Sequence, residues 1–310
     1  MLDFLLFHIS WIVFALIVLV VFFLVSLGIT LILIRRTING LAREYYIGID
    51  KAIHSGIGWL IAPIVKGFLL SLRARGKLII YQQEPIHWEE KPLFVANHPC
   101  PELQDVFIDL VEIFFLRPRN FINPVAYFPS VPAEKTNFAN RWYGGAIKLC
   151  TIAVERKSKK RGITAVSIAM RHINNGGTII SYVEGTRTKK ALEVSKSPKG
   201  NILGKLTNGA TYLSLQTNRP IVALWKKIEG CENVPAKDVN FSFLAKGILR
   251  LYFDPKVKMF YDFGATIRPD ATIKFSNKKE RDLAIAAYSE RIKEALLATA
   301  DKQTDRLKER

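Results

Sequence analysis

The feature that most constrains this chain is an apolar run near its N-terminus. From Phe4 to Ile34 no residue is charged at neutral pH, and His8 is the only ionisable side chain. As an α-helix rising about 1.5 Å per residue, this run reaches roughly 46 Å, which exceeds the hydrocarbon core of a bilayer at about 30 Å. The run therefore predicts a helix that spans the membrane. A cleaved signal peptide is disfavoured because no basic residues precede it.

The charges on either side of the run predict its orientation. Four basic residues follow it closely: Arg35, Arg36, Arg43 and Lys51. The N-terminal side carries only Asp3. Because basic residues stay on the cytoplasmic side of a span, residues 35–310 are predicted to face the cytoplasm. The predicted location is a membrane, with single-pass or monotopic attachment and the body of the chain on the cytoplasmic face (the inner membrane in a bacterial cell).

A second apolar stretch, residues 52–72, favours the membrane surface over a second span. It is interrupted by Pro63 and contains Lys66. A second full span would also return the rest of the chain to the opposite side. We therefore predict interfacial or half-inserted helices over about 40–72, with Trp59 and Lys66 at the depth of the lipid headgroups.

The composition limits the classes of partner. The 310 residues include 45 Lys and Arg against 27 Asp and Glu, which gives a formal net charge of +18. Such an excess suits nucleic acid, an anionic membrane surface or phosphorylated substrates, and the apolar run selects membrane lipids over nucleic acid. The three cysteines are scattered and form neither a disulfide framework nor a zinc-binding pair. We expect a reducing compartment and no metal site.

Beyond residue 75, apolar runs of strand length alternate with helical patterns. The predicted strands are Leu78–Tyr81, Leu93–Ala96, Thr178–Val183, Ile221–Trp225, Ile248–Phe253 and Lys258–Phe263. The predicted helices are Val106–Leu116 and Ile163–Asn174. Runs that are apolar on both faces indicate buried strands, and the helices between them indicate an α/β sheet.

The last helix is predicted to begin at Asn277, with Glu280 completing a capping box. Its apolar stripe recurs every four residues up to Leu296, and the polar tail after Ala300 is expected to fray. The predicted domains are a membrane anchor over 1–75, a catalytic domain over 76–275, and a C-terminal amphipathic helix with a polar tail over 276–310.

Two short motifs are candidates for chemistry on their own residues. Asn97 and His98 directly follow the strand Leu93–Ala96, and the carboxyl end of a strand is where open α/β sheets form their active-site crevice. Arg156 follows another apolar run and opens a basic loop. A guanidinium group there suits a phosphate, because its fork of donors matches phosphate oxygens.

A third motif, Glu184-Gly185-Thr186-Arg187, follows the strand Thr178–Val183. The glycine frees the backbone, the threonine offers a hydroxyl and the arginine offers a bidentate cation. A fourth, Gly209-Ala210, lies eleven residues before the buried strand that begins at Pro220-Ile221. Each motif is common by chance, but their order and spacing together are not.

In that order the motifs resemble those of the membrane-bound glycerophospholipid acyltransferase family, which includes the lysophosphatidic acid (1-acyl-sn-glycerol-3-phosphate) acyltransferases. The family has N-H-x-x-x-x-D, an arginine block, E-G-T-R, and G-A-x-x-L-A ending in P-I-V-P. The corresponding segments here are NHPCPELQD (97–105), AVER (153–156), VEGTR (183–187) and GATYLSLQTNRPIVAL (209–224). The resemblance covers roughly residues 76–270 and implies a mixed central sheet flanked by helices.

The resemblance also implies a reaction. An acyl group moves from a thioester, acyl-CoA or acyl carrier protein, to a hydroxyl of lysophosphatidic acid or a related glycerophospholipid, with no metal, cofactor or covalent intermediate. His98 is the implied general base, and Asp105 the carboxylate that orients it. Arg187, Arg156 and the backbone around Gly185 are implied to hold the acceptor's phosphate beside Thr186. Glu184 is expected to hold the loop or Arg187.

The chain departs from the family pattern in two places. The family's aspartate lies five positions after its histidine, where this chain has Leu103 between Glu102 and the later Asp105. Asp105 is favoured because an apolar helical pattern follows it, and Glu102 stays the alternative carboxylate. The stretch from Arg187 to Gly209 is also longer than usual and rich in lysine.

Two other functions remain open at this stage. One is acylation of glycerol 3-phosphate or another lipid acceptor, which the longer lysine-rich stretch favours. The other is a non-catalytic relative that binds phosphate or lipid, with a catalytic pair broken by the insertion before Asp105.

Overall fold

The structure is a computed structural model that describes residues 67–98, 131–134, 151–154, 159–174, 177–184, 194–230, 247, 249–270 and 277–309. The chain divides into two units, residues 1–50 and 51–310, and the described residues belong to the second. The predicted span over 4–34 and the predicted helix Val106–Leu116 lie outside the described residues. Within the described ranges, no helix has the length and apolar character needed to cross a membrane.

The elements follow an α/β order. The described strands are β1 (Leu78–Gln82), β2 (Leu93–Ala96), β3 (Val131–Glu134), β4 (Thr151–Val154), β5 (Ile180–Tyr182), β6 (Val194–Lys196), β7 (Ile202–Gly204), β8 (Ile221–Glu229) and β9 (Lys258–Ile267). The helices are α1 (Lys159–Asn174), α2 (Gly209–Thr217) and α3 (Lys278–Lys308), with a 3-10 turn at Trp88–Glu90. Residues 67–74 and 249–253 are also helical.

The central sheet is mixed, as the resemblance implied. Its strand order is β1-β9-β8-β2-β5, and β3-β4 and β6-β7 form separate pairs. Pairing is parallel for β1–β9, β8–β2 and β2–β5, and antiparallel for β8–β9. Ala96 on β2 lies opposite Tyr182 on β5 and Leu224 on β8. The strands β2 and β5 therefore end side by side at one edge of the sheet, while β8 continues beyond them to Glu229.

Helices cover both faces of this sheet, because its strands are apolar on both sides. On one face, Leu69, Leu72 and Leu251 from the helical segments pack on Phe94, Leu224 and other sheet residues. On the other, buried residues of α1, α2 and α3 pack on Val95, Ala223 and their neighbours. Leu69 and Leu72 belong to the described end of the stretch predicted to be interfacial, and their side chains are buried in this core.

The prediction of a strand over Ile248–Phe253 is wrong, since residues 249–253 are helical. Short apolar runs do not distinguish the two structures by periodicity. Of the described residues in this run, Leu251 is buried in the core and Tyr252 packs against it, while Leu249 and Phe253 are exposed. Tyr252 stacks on Phe68 of the first helical segment.

The start of α3 agrees with its predicted capping box. The Asn277 side chain accepts a hydrogen bond from the Glu280 backbone N–H at 2.9 Å, and its amide donates to the Glu280 carboxylate at 3.0 Å.

The helix α3 also packs closely on the sheet. A Cβ atom on Gly264 of β9 would collide with the Thr299 side chain of α3.

The expectation that the tail frays after Ala300 is wrong, since α3 continues to Lys308. Its last turns carry polar groups that satisfy a buried carboxylate. Asp262 on β9 is only 1% exposed, accepts a hydrogen bond from Gln303 Nε2 at 2.8 Å and pairs with Arg306. The end of α3 is polar because Gln303 and Arg306 contact the buried carboxylate of Asp262.

Candidate active site

The site begins at the end of β2, where Asn97 joins two strands. Asn97 is only 2% exposed. Its side-chain oxygen Oδ1 accepts a hydrogen bond from the Lys226 backbone N–H at 2.7 Å, and its side-chain nitrogen Nδ2 donates to the Lys226 backbone carbonyl at 2.9 Å. The side chain continues the β2–β8 ladder beyond the last backbone pair. Asn97 thereby holds the strand end from which His98 projects.

Glu184 follows β5 and ties two other segments to that strand end. Its carboxylate Oε1 accepts a hydrogen bond from the His98 backbone N–H at 3.0 Å, and Oε2 accepts from the Gly204 backbone N–H at 2.8 Å. The side chain is only 4% exposed. Hydrogen bonds to an ionised acceptor are about twice as strong as neutral ones. Glu184 thus fixes the backbone on either side of it, at the end of β2 and the end of β7.

Two side chains that the sequence analysis did not single out lie beside the histidine. The His98 imidazole stacks on the Tyr182 ring, with centroids 4.6 Å apart and planes at 29°. The Lys226 ammonium lies 4.3 Å from the same ring's centroid. Lys226 is only 1% exposed. Its place directly after the apolar run Ile221–Trp225 was a local indication that its charge has a specific partner.

The hairpin β6–β7 connects this edge to the C-terminal helix. Gly204, which donates to Glu184, ends β7. Asn201 Nδ2 donates to Asp301 Oδ1 at 2.8 Å and to Thr304 Oγ1 at 3.0 Å. The hairpin therefore has one end on the candidate site and its turn on α3.

Among the described residues, one cluster has metal-ligand geometry: His87, Glu89 and Glu90. It lies at the 3-10 turn, where His87 Nδ1 is 3.1 Å from a Glu89 oxygen and Arg268 pairs with Glu90 at 2.6 Å. The hydrogen bond from His87 helps to lower the pKa of Glu89, after backbone hydrogen bonding as the main cause. These contacts hold the three side chains to one another and to Arg268.

A family model described as Acyltransferase matches residues 77–227, which contain β2, β5, β8 and the contacts described above. Residues 77–227 are therefore an acyltransferase domain. The protein is an O-acyltransferase enzyme. The non-catalytic alternative is therefore not retained.

Comparison with solved structures finds the crystal structure of PlsC, the 1-acyl-sn-glycerophosphate (LPA) acyltransferase from Thermotoga maritima. The sequence identity is 17%, and the match covers 86% of this chain and 97% of that one with a TM-score of 0.37. A likeness at that score is too low to bear on the function of this acyltransferase. No curated protein matches the chain.

Of the site residues predicted for the acyltransferase, the structure describes His98 and Glu184 and brings them into contact. The others lie outside the described residues: Glu102, Asp105, Arg156, Gly185, Thr186 and Arg187. Along the chain, the described position nearest to Arg156 is Val154 at the end of β4, and the one nearest to Gly185 is Glu184. The roles of these six residues stay predictions.

Proposed function

We propose that this acyltransferase moves a fatty acyl group from acyl-CoA or acyl carrier protein to a hydroxyl of lysophosphatidic acid or a related glycerophospholipid. The observation that carries the proposal is the hydrogen bond between the His98 backbone and Glu184. It joins the N-H block to the E-G-T-R block across two adjacent parallel strands. A base and a phosphate-binding loop that share one sheet edge suit an acceptor with a hydroxyl and a phosphate a few bonds apart.

In this proposal His98 is the general base. Its neutral imidazole takes the proton of the acceptor hydroxyl as that oxygen attacks the thioester carbonyl. The new C–O bond forms, the C–S bond breaks, and the imidazolium returns the proton to the departing thiolate. A carboxylate on the second ring nitrogen stabilises the imidazolium, and Asp105 is the proposed carboxylate, with Glu102 as the alternative.

The acceptor phosphate is proposed to bind Arg187 and Arg156, with the backbone of Gly185 and the hydroxyl of Thr186 beside them. A bidentate arginine clamp fixes both position and orientation of a phosphate. Positioning of this kind lowers the barrier by several kcal/mol. The reaction is proposed to occur at the cytoplasmic face of a membrane, where both the lipid acceptor and a soluble acyl donor are within reach.

A second acceptor class is supported by one described element. The hairpin β6–β7 lies within the stretch between Arg187 and Gly209 that is longer than the family pattern. Exposed lysines on the hairpin or directly after it are Lys196, Lys199 and Lys205, of which Lys199 pairs with Asp305. Glycerol 3-phosphate carries the same phosphate monoester as lysophosphatidic acid but lacks its acyl chain, and it is the alternative acceptor that an exposed basic hairpin suits.

One experiment tests the proposal directly. The purified full chain is incubated with labelled acyl-CoA or acyl carrier protein and a panel of acceptors, and the product lipid is identified. We expect transfer to lysophosphatidic acid, with loss of activity in His98→Ala. His87→Ala is the matched control, because His87 is exposed and lies outside the candidate site. Transfer to no glycerolipid acceptor, or full activity of His98→Ala, would overturn the proposal.

A further inference from the structure

We infer that Tyr182 and Lys226 are positioning residues that hold the plane of the His98 imidazole. The inference rests on the proposed role of His98 as the general base. It adds two residues from different strands to that role, neither of which belongs to the motifs that carry the family resemblance.

The first step is the stack of two rings. Tyr182 precedes Glu184 by two residues, and its Cα partner on β2 is Ala96, two residues before His98. Parallel register therefore places both rings on the same face of the sheet. The centroid distance of 4.6 Å and the angle of 29° describe a stacked pair. An imidazole held in this way has less freedom to rotate about its side-chain bonds.

The second step is the cation on the Tyr182 ring. Lys226 belongs to β8 and Tyr182 to β5, on opposite sides of β2, so the lysine side chain crosses β2 to reach the ring. A cation over an aromatic face is stabilised most strongly where water is excluded, and Lys226 is almost fully buried. The two hydrogen bonds between the Asn97 side chain and the Lys226 backbone also fix the position from which the lysine side chain extends.

The third step concerns the cost of the charge. Burial of an ammonium group costs free energy unless the group has partners in the interior, and removing one member of a buried pair destabilises a fold. Lys226→Met should therefore lower stability whether or not the lysine positions the histidine, so a fall in Tm does not distinguish the two roles. A positioning Lys226 lowers the kcat of the folded variant, because Tyr182 and then His98 lose their fixed orientation, whereas a merely structural Lys226 leaves that kcat unchanged.

The experiment separates these two roles by kinetics, with unfolding measured to choose a temperature at which each variant is fully folded. In Lys226→Met we expect kcat to fall by about 10- to 100-fold, with KM within about twofold. Tyr182→Leu should lower kcat in the same range. Tyr182→Phe should retain most of kcat, because the ring that stacks on His98 and faces Lys226 remains.

Tyr252→Leu is the matched control. Tyr252 stacks on Phe68 with ring centroids 6.0 Å apart, and the Arg75 guanidinium lies 4.2 Å from the Tyr252 ring centroid. Neither of these partners belongs to the candidate site. Its kcat should stay unchanged. Wild-type kcat in both Lys226→Met and Tyr182→Leu, or an equal loss in Tyr252→Leu, would overturn the inference.

A second measurement does not depend on activity. In protein labelled with ¹³C-histidine, the ring protons of His98 are assigned by their loss in His98→Ala. The Tyr182 ring current should move these protons from their ordinary shift, and Tyr182→Leu should abolish that displacement while Tyr182→Phe preserves it. Unchanged His98 shifts in Tyr182→Leu would overturn the stack. If instead His98→Ala is fully active while the stack is present, it is the proposed function that fails.

Discussion

The carboxylate of Glu184 accepts the backbone N–H of His98 at 3.0 Å and, with its other oxygen, the backbone N–H of Gly204 at 2.8 Å. One buried side chain thereby holds the ends of β2 and β7 to the exit of β5. We propose Glu184 as a positioning residue for His98, since this contact fits the expectation that Glu184 holds a loop.

Glu184→Gln should lower both stability and rate. A glutamine amide has one acceptor oxygen, so its NH₂ group would face one of the two backbone N–H donors. The loss of one charge-assisted hydrogen bond should reduce the free energy of unfolding by about 1.5–3 kcal/mol, measured in urea. Acyl transfer should fall through kcat. The exposed Glu309→Gln is the control, and equal stability of the two variants would contradict this account.

The choice between Asp105 and Glu102 is open to a paired substitution. If Asp105 orients His98, Asp105→Asn should lower kcat by orders of magnitude while Glu102→Gln stays mild. The amide favours the wrong imidazole tautomer and does not stabilise the imidazolium, a loss of about 10⁴-fold in a serine-protease triad. Single-turnover acyl transfer measures both variants. If Glu102 is the partner, the two phenotypes exchange, and full activity of both would exclude a dyad.

Arg187→Lys should weaken acceptor binding while it keeps the charge. An ammonium group does not make the bidentate contact of a guanidinium group with phosphate. We expect KM for a phosphorylated acceptor to rise about tenfold, equivalent to about 1.4 kcal/mol, with a smaller effect on KM for the acyl donor. Initial rates at varied acceptor concentration measure this, and an unchanged acceptor KM would remove Arg187 from the phosphate site.

Arg306→Leu should destabilise the protein through Asp262. The substitution removes a guanidinium from a carboxylate that is almost fully buried, and breaking a buried pair costs up to about 3–5 kcal/mol. Denaturant unfolding measures the loss. Asp262→Asn in the Arg306→Leu background should recover part of it, because the uncompensated charge is then absent. Arg281→Leu, at the exposed start of α3, should have a much smaller effect.

The stability should also fall in mild acid because of His172. Burial lowers the pKa of His172, although its hydrogen bond to the Thr178 carbonyl acts in the opposite direction. The folded state therefore binds fewer protons than the unfolded state once the pH falls below about 6.5, and stability decreases there. Unfolding free energies from pH 7 to pH 5.5 measure this, and His172→Gln should flatten the slope. An identical slope in the variant would assign the effect to other groups.

Several parts of the fold were predictable because the interactions that form them are local. The run Leu93–Ala96 is apolar on both faces and ends at Asn97-His98, so its strand and its exit were readable from adjacent residues. The helix α3 begins where Asn277 and Glu280 form a capping box three residues apart. The order of the four motifs was likewise a property of the chain itself, and it was enough to indicate the acyltransferase family.

The contacts within the site depend on strand order, which no local pattern specifies. Tyr182 and Lys226 meet because β2 lies between β5 and β8 in the sheet, and Glu184 reaches His98 because β5 and β2 pair in parallel. Contacts between residues distant in sequence also accompany the two wrong predictions. Residues 249–253 form a helix whose Leu251 packs in the core, and α3 continues past Ala300, where Arg306 pairs with the buried Asp262 of β9. Local sequence patterns determined which segments form strands and helices. Strand pairing and buried charge in the tertiary structure decided where those segments end and which side chains meet at the site.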